Sequence, residues 1–206
     1  MKKYYLSVTL TFLQEILGTQ TGDKDIYRSY IGSKAPDATT IEEEVAAVGV
    51  DNVVEKGKTW FPKNKDGKRF IYDYQIKGFF KSACQAMKGV EGSLSSKVKA
   101  YKKLIDQSIF IRDRENVFFN YKPEEVSEIQ RPLRAMTMQG ERVSIAISES
   151  LPAGTKVCVT ILVFTKSHLD LVKEWLDYGQ FNGLLQWRNA KFGSFTWEAF
   201  RDYEED

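Results

Sequence analysis

An α+β protein is predicted by three observations. Segment 4–12 alternates apolar and polar residues with period two. Two amphipathic helices, 73–88 and 168–178, stand among several strand-like runs. Apart from one extra strand, the elements run strand, helix, strand, strand, helix, strand, which is the split βαβ pattern of a ferredoxin-like (RRM-like) fold. An antiparallel sheet would carry both helices on one face, with thumb or lobe segments inserted. The 206 residues suit a single domain, 1–206. Its insertions fall at about 18–70, 89–105 and 113–140.

In the first strand Leu6, Val8, Leu10 and Phe12 face one way, and Tyr5, Ser7, Thr9 and Thr11 the other. The same alternation, without a small-residue cleavage site, argues against a signal peptide despite Lys2 and Lys3. Residues 18–40, with Gly18, Gly22, Gly32 and Pro36, form a long excursion. "DATTIEEEVAAVG" reads as a short helix capped by Thr40 and ended by Gly49. Residues 56–69 read as a loop or hairpin turning at Asp66–Gly67.

The helix 73–88 takes Asp73 as its cap and aligns Ile76, Phe79, Phe80, Ala83 and Met87 in one apolar stripe. Lys77, Lys81, Gln85 and Lys88 form the opposite stripe. Gly78 inside a helix costs up to about 1 kcal/mol relative to alanine. It therefore marks close approach, either by a ligand or by the sheet. The lysine-rich "KVKAYKK" (97–103) follows, read as a solvated helix face or as part of a basic surface.

Strands are then expected at 107–112, 142–148 and 155–164, with a turn at Pro152–Gly154. In the last of these Val157, Val159, Ile161 and Val163 line one face. Ser167–Asp170 reads as a capping box opening the second helix, with Leu169, Val172, Trp175 and Leu176 inward. Gly179 closes that helix. The final strand is placed at 192–200.

Composition narrows the function classes. With 42% hydrophobic and 28% charged residues the chain is globular. No apolar run approaches the roughly 18 residues of a membrane span, so no membrane partner is expected. Two distant cysteines, Cys84 and Cys158, read as buried thiols of a reducing cytoplasm, with a structural disulfide as the alternative. One histidine and no CxxC pair argue against a metal, and no cofactor is expected.

The net charge of +2 hides an asymmetry. Residues 37–55 hold six acids and no base, and residues 56–103 hold thirteen bases against three acids. Such a basic stretch fits an anionic partner such as nucleic acid, or a solvated lysine-rich surface.

Three stretches together resemble the RAMP proteins, the ferredoxin-like RNA-binding subunits of CRISPR effector complexes. "RFIYDYQIKGFFKSAC" (69–84), through Ile76–Lys77–Gly78 and Lys81, is similar to the "proline–glycine–serine–serine–leucine–lysine–glycine–alanine–leucine–arginine" signature of their first helix. The proline–glycine–serine start is not present here. "SESLPAGTKVCVTILV" (148–163) resembles their glutamate…proline–glycine–threonine turn before a long strand. "GQFNGLLQWRNAKFGSF" (179–195) resembles their glycine-rich loop.

The resemblance implies that an RNA backbone, or another single-stranded nucleic acid, binds between the first helix, this loop and an inserted thumb. Homo-oligomers or RAMP-like protein partners are implied too. The residues suit that role. Gly179, Gly183 and Gly193 permit close backbone approach, and Arg188 suits a phosphate clamp. Trp187 and Phe192 suit base stacking. Lys77 and Lys81 add charge, and Trp60 with its lysines suits a basic arm. The alternatives are core or turn packing for Trp187 and Phe192, and a pair with Glu198 or Asp177 for Arg188.

The only histidine, His168, is a weak candidate for acid–base chemistry and otherwise reads as cap-adjacent. Loop residues Asp23, Asp25 and Asp37 carry little specificity. No HExxH, nucleophile elbow or nucleotide fingerprint occurs. The expected function is non-catalytic RNA binding, by a chain that could also derive from a phage or mobile element. The alternatives are a protein–protein module, such as a phage-encoded inhibitor or accessory factor, and an endoribonuclease.

Overall fold

The computed structural model describes residues 2–21, 58–112, 117–137 and 140–205, with the backbone alone for 133–137 and 140–144. The expected helix with Thr40, the acidic segment 37–55 except its place in the sequence, and Asp23, Asp25 and Asp37 lie outside the described residues.

The described chain is α+β, with three α-helices and two sheets. The first sheet is antiparallel. From one edge it runs β11 (Phe195–Glu205), β1 (Lys3–Phe12) and β10 (Lys156–Val163). Both β6 (Ile109–Ile111) and β7 (Val117–Asn120) pair with β10, and β5 (Phe70–Ile71) pairs with β7. Alternation in β1 sends Leu6, Val8, Leu10 and Phe12 into the core beside Val157, Val159, Ile161 and Val163 of β10. On that face lie α1 (Asp73–Met87) and α3 (Lys166–Tyr178). Phe79 meets Phe195 edge-on at 5.2 Å, and Phe80 packs on Trp175 at 5.6 Å. Trp175 is fully buried and donates its indole N–H to Ser95 Oγ at 2.9 Å, so its polar atom is satisfied.

The opposite sheet face carries Tyr5, Ser7 and Thr9, as the alternation requires. Tyr5 stacks on Tyr203 of β11 at 4.7 Å, and Arg201 lies 4.4 Å from the Tyr203 ring. These neighbours bury Tyr5.

A long hairpin, β8 (Ser127–Thr137) and β9 (Gly140–Leu151), supplies the body of the second sheet. Along the other side of β9 lie β2 (Ile16–Leu17), antiparallel, and β4 (Lys58–Trp60), parallel; β3 (Gln20–Thr21) pairs with β4. The second sheet takes β3, β4 and β8 from segments expected as insertions, but also the strand expected at 142–148, which the sequence reading places in the main pattern and which pairs here within the hairpin instead.

Several boundaries differ from the sequence reading. Asp73 is the first helical residue of α1, and Tyr72 is its cap, donating its N–H to Gln75 Oε1 at 3.0 Å. The strand expected from 107 begins at Ile109, because α2 (Tyr101–Ser108) occupies the residues before it. Helix α3 starts at Lys166 rather than at a Ser167 cap. Extended Thr165 accepts the His168 N–H at 3.2 Å through Oγ1 and takes the capping role. The last strand starts at Phe195 rather than 192, since Gly193 still turns with φ +67°. The Asp66–Gly67 turn is present, with Asn64 Oδ1 accepting from the Asp66 and Lys68 amides. Cys84 is buried as expected, but Cys158 is exposed, because it points to the face of β10 opposite the helices; both are free thiols.

Candidate nucleic-acid interface

Eight residues were singled out for nucleic acid, and the structure places them in two groups. The first is the loop from Gly179 to Ser194, between α3 and β11. Gly179 is the C-cap of α3, and a Cβ there would meet the Phe195 ring at 2.3 Å. Gly183 and Gly193 lie against each other: a Cβ on Gly183 would fall 2.0 Å from the Gly193 carbonyl carbon. Leu184 donates to Gly193 O at 2.9 Å, and Gly193 donates to Glu15 O at 2.8 Å. These glycines close the neck of the loop, and the Gly193 N–H is engaged within the chain.

The neck holds a strained tip. All three described nonglycine residues with positive φ lie here: Leu185 (+67°), Trp187 (+56°) and Lys191 (+65°). Left-handed backbone is unfavourable for such side chains and clusters where geometry serves a function. The tip carries Arg188, half-buried on a short 3₁₀ turn (Arg188–Ala190). Neither Asp177 nor Glu198 pairs with it among the described residues; Asp177 instead accepts the Trp197 indole N–H at 2.8 Å. With Leu185, Trp187, Asn189 and Ala190 it lines a cleft of about 600 Å³.

Trp187 is engaged from behind. Its ring lies 3.7 Å from the Arg131 guanidinium of β8, and Phe192 lies 5.6 Å from the same group. Gln186 joins the loop to the second sheet, donating to Gly18 O at 2.6 Å and to Thr59 Oγ1 at 3.1 Å. Trp60, the residue after Thr59, is therefore on the strand tied to the loop. Lys58 and Lys63 flank its ring at 5.8 and 6.0 Å. Lys58 also pairs with Glu128 at 3.3 Å.

The second group is on α1. Lys81 pairs with Asp106 of α2 at 2.7 Å, and Lys77 lies over Phe110 at 5.3 Å. A Cβ on Gly78 would have no atom within 4 Å, so packing of α1 on the sheet does not require glycine there.

His168 sits in the first turn of α3. Burial pushes its imidazole below the ordinary range, and its buried Nδ1 has no hydrogen-bond partner. Among the described residues no group of three or more histidine, cysteine or acidic side chains is placed to hold a metal, and no helix is long and apolar enough to cross a membrane.

Sequence reasoning passed over Arg131, Thr59 and Gln186. Each became visible only when the second sheet met the loop, and no local motif marks them.

No family model matches the chain, and no curated protein is similar to it in sequence. Among solved structures it is similar to a chain of the cryo-EM structure of the Type III-B Cmr-beta bound to cognate target RNA, with a TM-score of 0.54 and 7% identity. The similarity covers 98% of this chain and 61% of that one, so this chain spans less than two thirds of its neighbour's length. At that identity the likeness is one of fold, and a distant one.

Proposed function

We propose that this chain is a RAMP-like RNA-binding protein, a single ferredoxin-like domain with inserted lobes that holds a single-stranded RNA backbone without cleaving it. The observation that carries this reading is the loop tip. Three residues there hold positive φ, at roughly 1–3 kcal/mol each, around an Arg188 that lines an open cleft with no acidic partner among the described residues. A guanidinium so placed donates two parallel hydrogen bonds to a phosphate. Trp60, with Lys58 and Lys63 at its ring, adds a basic aromatic position on the strand tied to the loop, on the face opposite Thr59. The fold likeness to a chain of an RNA-bound complex supports RNA as the ligand class and a place beside further copies or RAMP-like subunits, and a cytoplasmic location belongs to the same proposal.

The test is fluorescence anisotropy with a labelled single-stranded RNA across a salt series. Affinity should fall with salt as counterions are released. Arg188→Ala should weaken binding about tenfold and reduce the salt slope by about one, with an unchanged melting temperature. A wild-type protein with no salt-sensitive RNA binding sinks the reading. An Arg188→Ala variant that unfolds makes the loop architecture.

A further inference from the structure

Arg131 lies where the β8–β9 hairpin meets the glycine-rich loop, and its environment is incomplete. The side chain is 7% exposed. One nitrogen, Nη2, donates to Ser148 Oγ at 3.0 Å. Among the described residues Nε and Nη1 are buried without a hydrogen-bond partner, and no carboxylate pairs with the group. Burial pulls the guanidinium below its ordinary range. Arginine does not escape by losing its proton, and an unpaired buried charge is costly. The Trp187 face at 3.7 Å compensates only in part.

The neighbours are those of an oxyanion site. Ser148 Oγ takes a 2.8 Å hydrogen bond from Thr59, which in turn accepts from Gln186. Pairing register puts Thr21 and Ser150 on the same sheet face as Thr59 and Ser148. The hydroxyls of Thr21 and Ser150 are also buried without partners. This face therefore offers a fixed guanidinium fork and a row of hydroxyl donors, with no acid among these groups.

We propose that Arg131, with Ser148 beside it, binds a phosphate group in the seam between the hairpin and the loop, with Trp187 as the cover that must swing aside. It deepens the RNA reading and rests on it only for a backbone source of the phosphate. Nη1 and the second hydrogen of Nη2 form the end-on fork that fits two phosphate oxygens, and Nε–H leaves a further donor on the side edge. Trp187 borders the cleft of about 600 Å³ on one side and covers Arg131 on the other, so moving it joins the site to that cleft.

The experiment uses the full chain and inorganic phosphate as the probe, against chloride at matched ionic strength. Wild-type protein should melt several degrees higher in phosphate, and its tryptophan fluorescence should change on titration. Arg131→Met should lose both responses while melting in chloride at or above the wild-type temperature, because it removes a buried unpaired charge. Arg131→Lys, which keeps the charge but not the fork, should lose most of the phosphate response and serves if the methionine variant misfolds.

Labelled RNA separates the sources. A roughly tenfold loss of RNA affinity in Arg131→Met, with phosphate competing, assigns the site to the backbone; an unchanged RNA affinity assigns it to free phosphate. If wild-type protein binds no RNA but keeps an Arg131-dependent phosphate response, the RNA reading falls and this site stands. If RNA binds wild type and both variants equally and phosphate shifts none of them, or shifts all of them equally, the site is overturned.

Discussion

At Gly183 the missing Cβ matters because the atoms in its way are backbone. The Gly193 carbonyl carbon, 2.0 Å from a built Cβ, belongs to a segment already fixed by hydrogen bonds to Leu184 and Glu15. It cannot rotate aside as a side-chain tip would. Gly183→Ala should therefore cost about 3 kcal/mol, the upper end of overpacking, read as a lower urea midpoint. A midpoint within experimental error of wild type would show that the neck is looser than described. The contrast with Arg188→Ala, which touches no tight contact, separates loop architecture from loop function. His168 gives a second prediction at this scale. Burial holds its native imidazole below its ordinary value. Between about pH 6.5, where a free imidazole titrates, and the lower native value, the unfolded chain binds more protons than the folded one. Stability must then fall as pH drops through that window. His168→Gln should flatten this fall in thermal melts between pH 7 and 5, roughly the histidine range, and leave RNA affinity unchanged.

Helix α1 shows what periodicity reveals and what it hides. The apolar stripe Ile76, Phe79, Phe80 and Ala83 was legible because a 3.6-residue repeat maps directly onto a buried face. The period-two pattern of β1 and β10 was legible for the same reason. Of the second sheet only β9 was legible, through the strand expected at 142–148. Its strands β2, β3 and β4 are two or three residues long, too short to carry a period, and they are fixed by pairing with a distant hairpin. The Arg131–Trp187 stack is hidden likewise, since its partners come from separate elements. Gly78 is the position where helix and ligand arguments meet. With no atom within 4 Å of a built Cβ, Gly78→Ala should raise stability by up to about 1 kcal/mol through helix propensity. If α1 borders the RNA, the same variant should bind RNA more weakly. Stabilisation with unchanged affinity would remove Gly78 from the interface.

At the scale of the whole molecule, the question is what keeps the second sheet in register with the first. Glu149 of β9 is 3% exposed and turns away from the Ser148 face. It accepts from Arg69 Nε at 2.9 Å and from the Phe61 N–H at 3.0 Å. Arg69 precedes β5, accepts the Phe119 N–H of β7 through its carbonyl at 3.2 Å, and donates through Nη1 to Tyr121 Oη at 2.7 Å. One buried carboxylate thus ties the hairpin sheet to the edge of the first sheet, and its backbone carbonyl takes the Gly18 N–H at 2.8 Å. Removing Arg69 leaves Glu149 only the longer pair with half-exposed Lys63 at 3.9 Å, so Arg69→Met should lose about 3 kcal/mol, the lower end for a broken buried pair. Glu149→Leu should lose a similar amount, since it leaves Arg69 buried and the Phe61 amide unpaired. The double variant strands no charge and should recover much of the loss, giving a large non-additive term in a double-mutant cycle. Simple additivity would mean that the two sheets are held by the apolar core alone. Since the loop tip, Trp60 and Arg131 all depend on the hairpin meeting the loop, Arg69→Met should also weaken RNA binding, though none of its atoms lines the cleft.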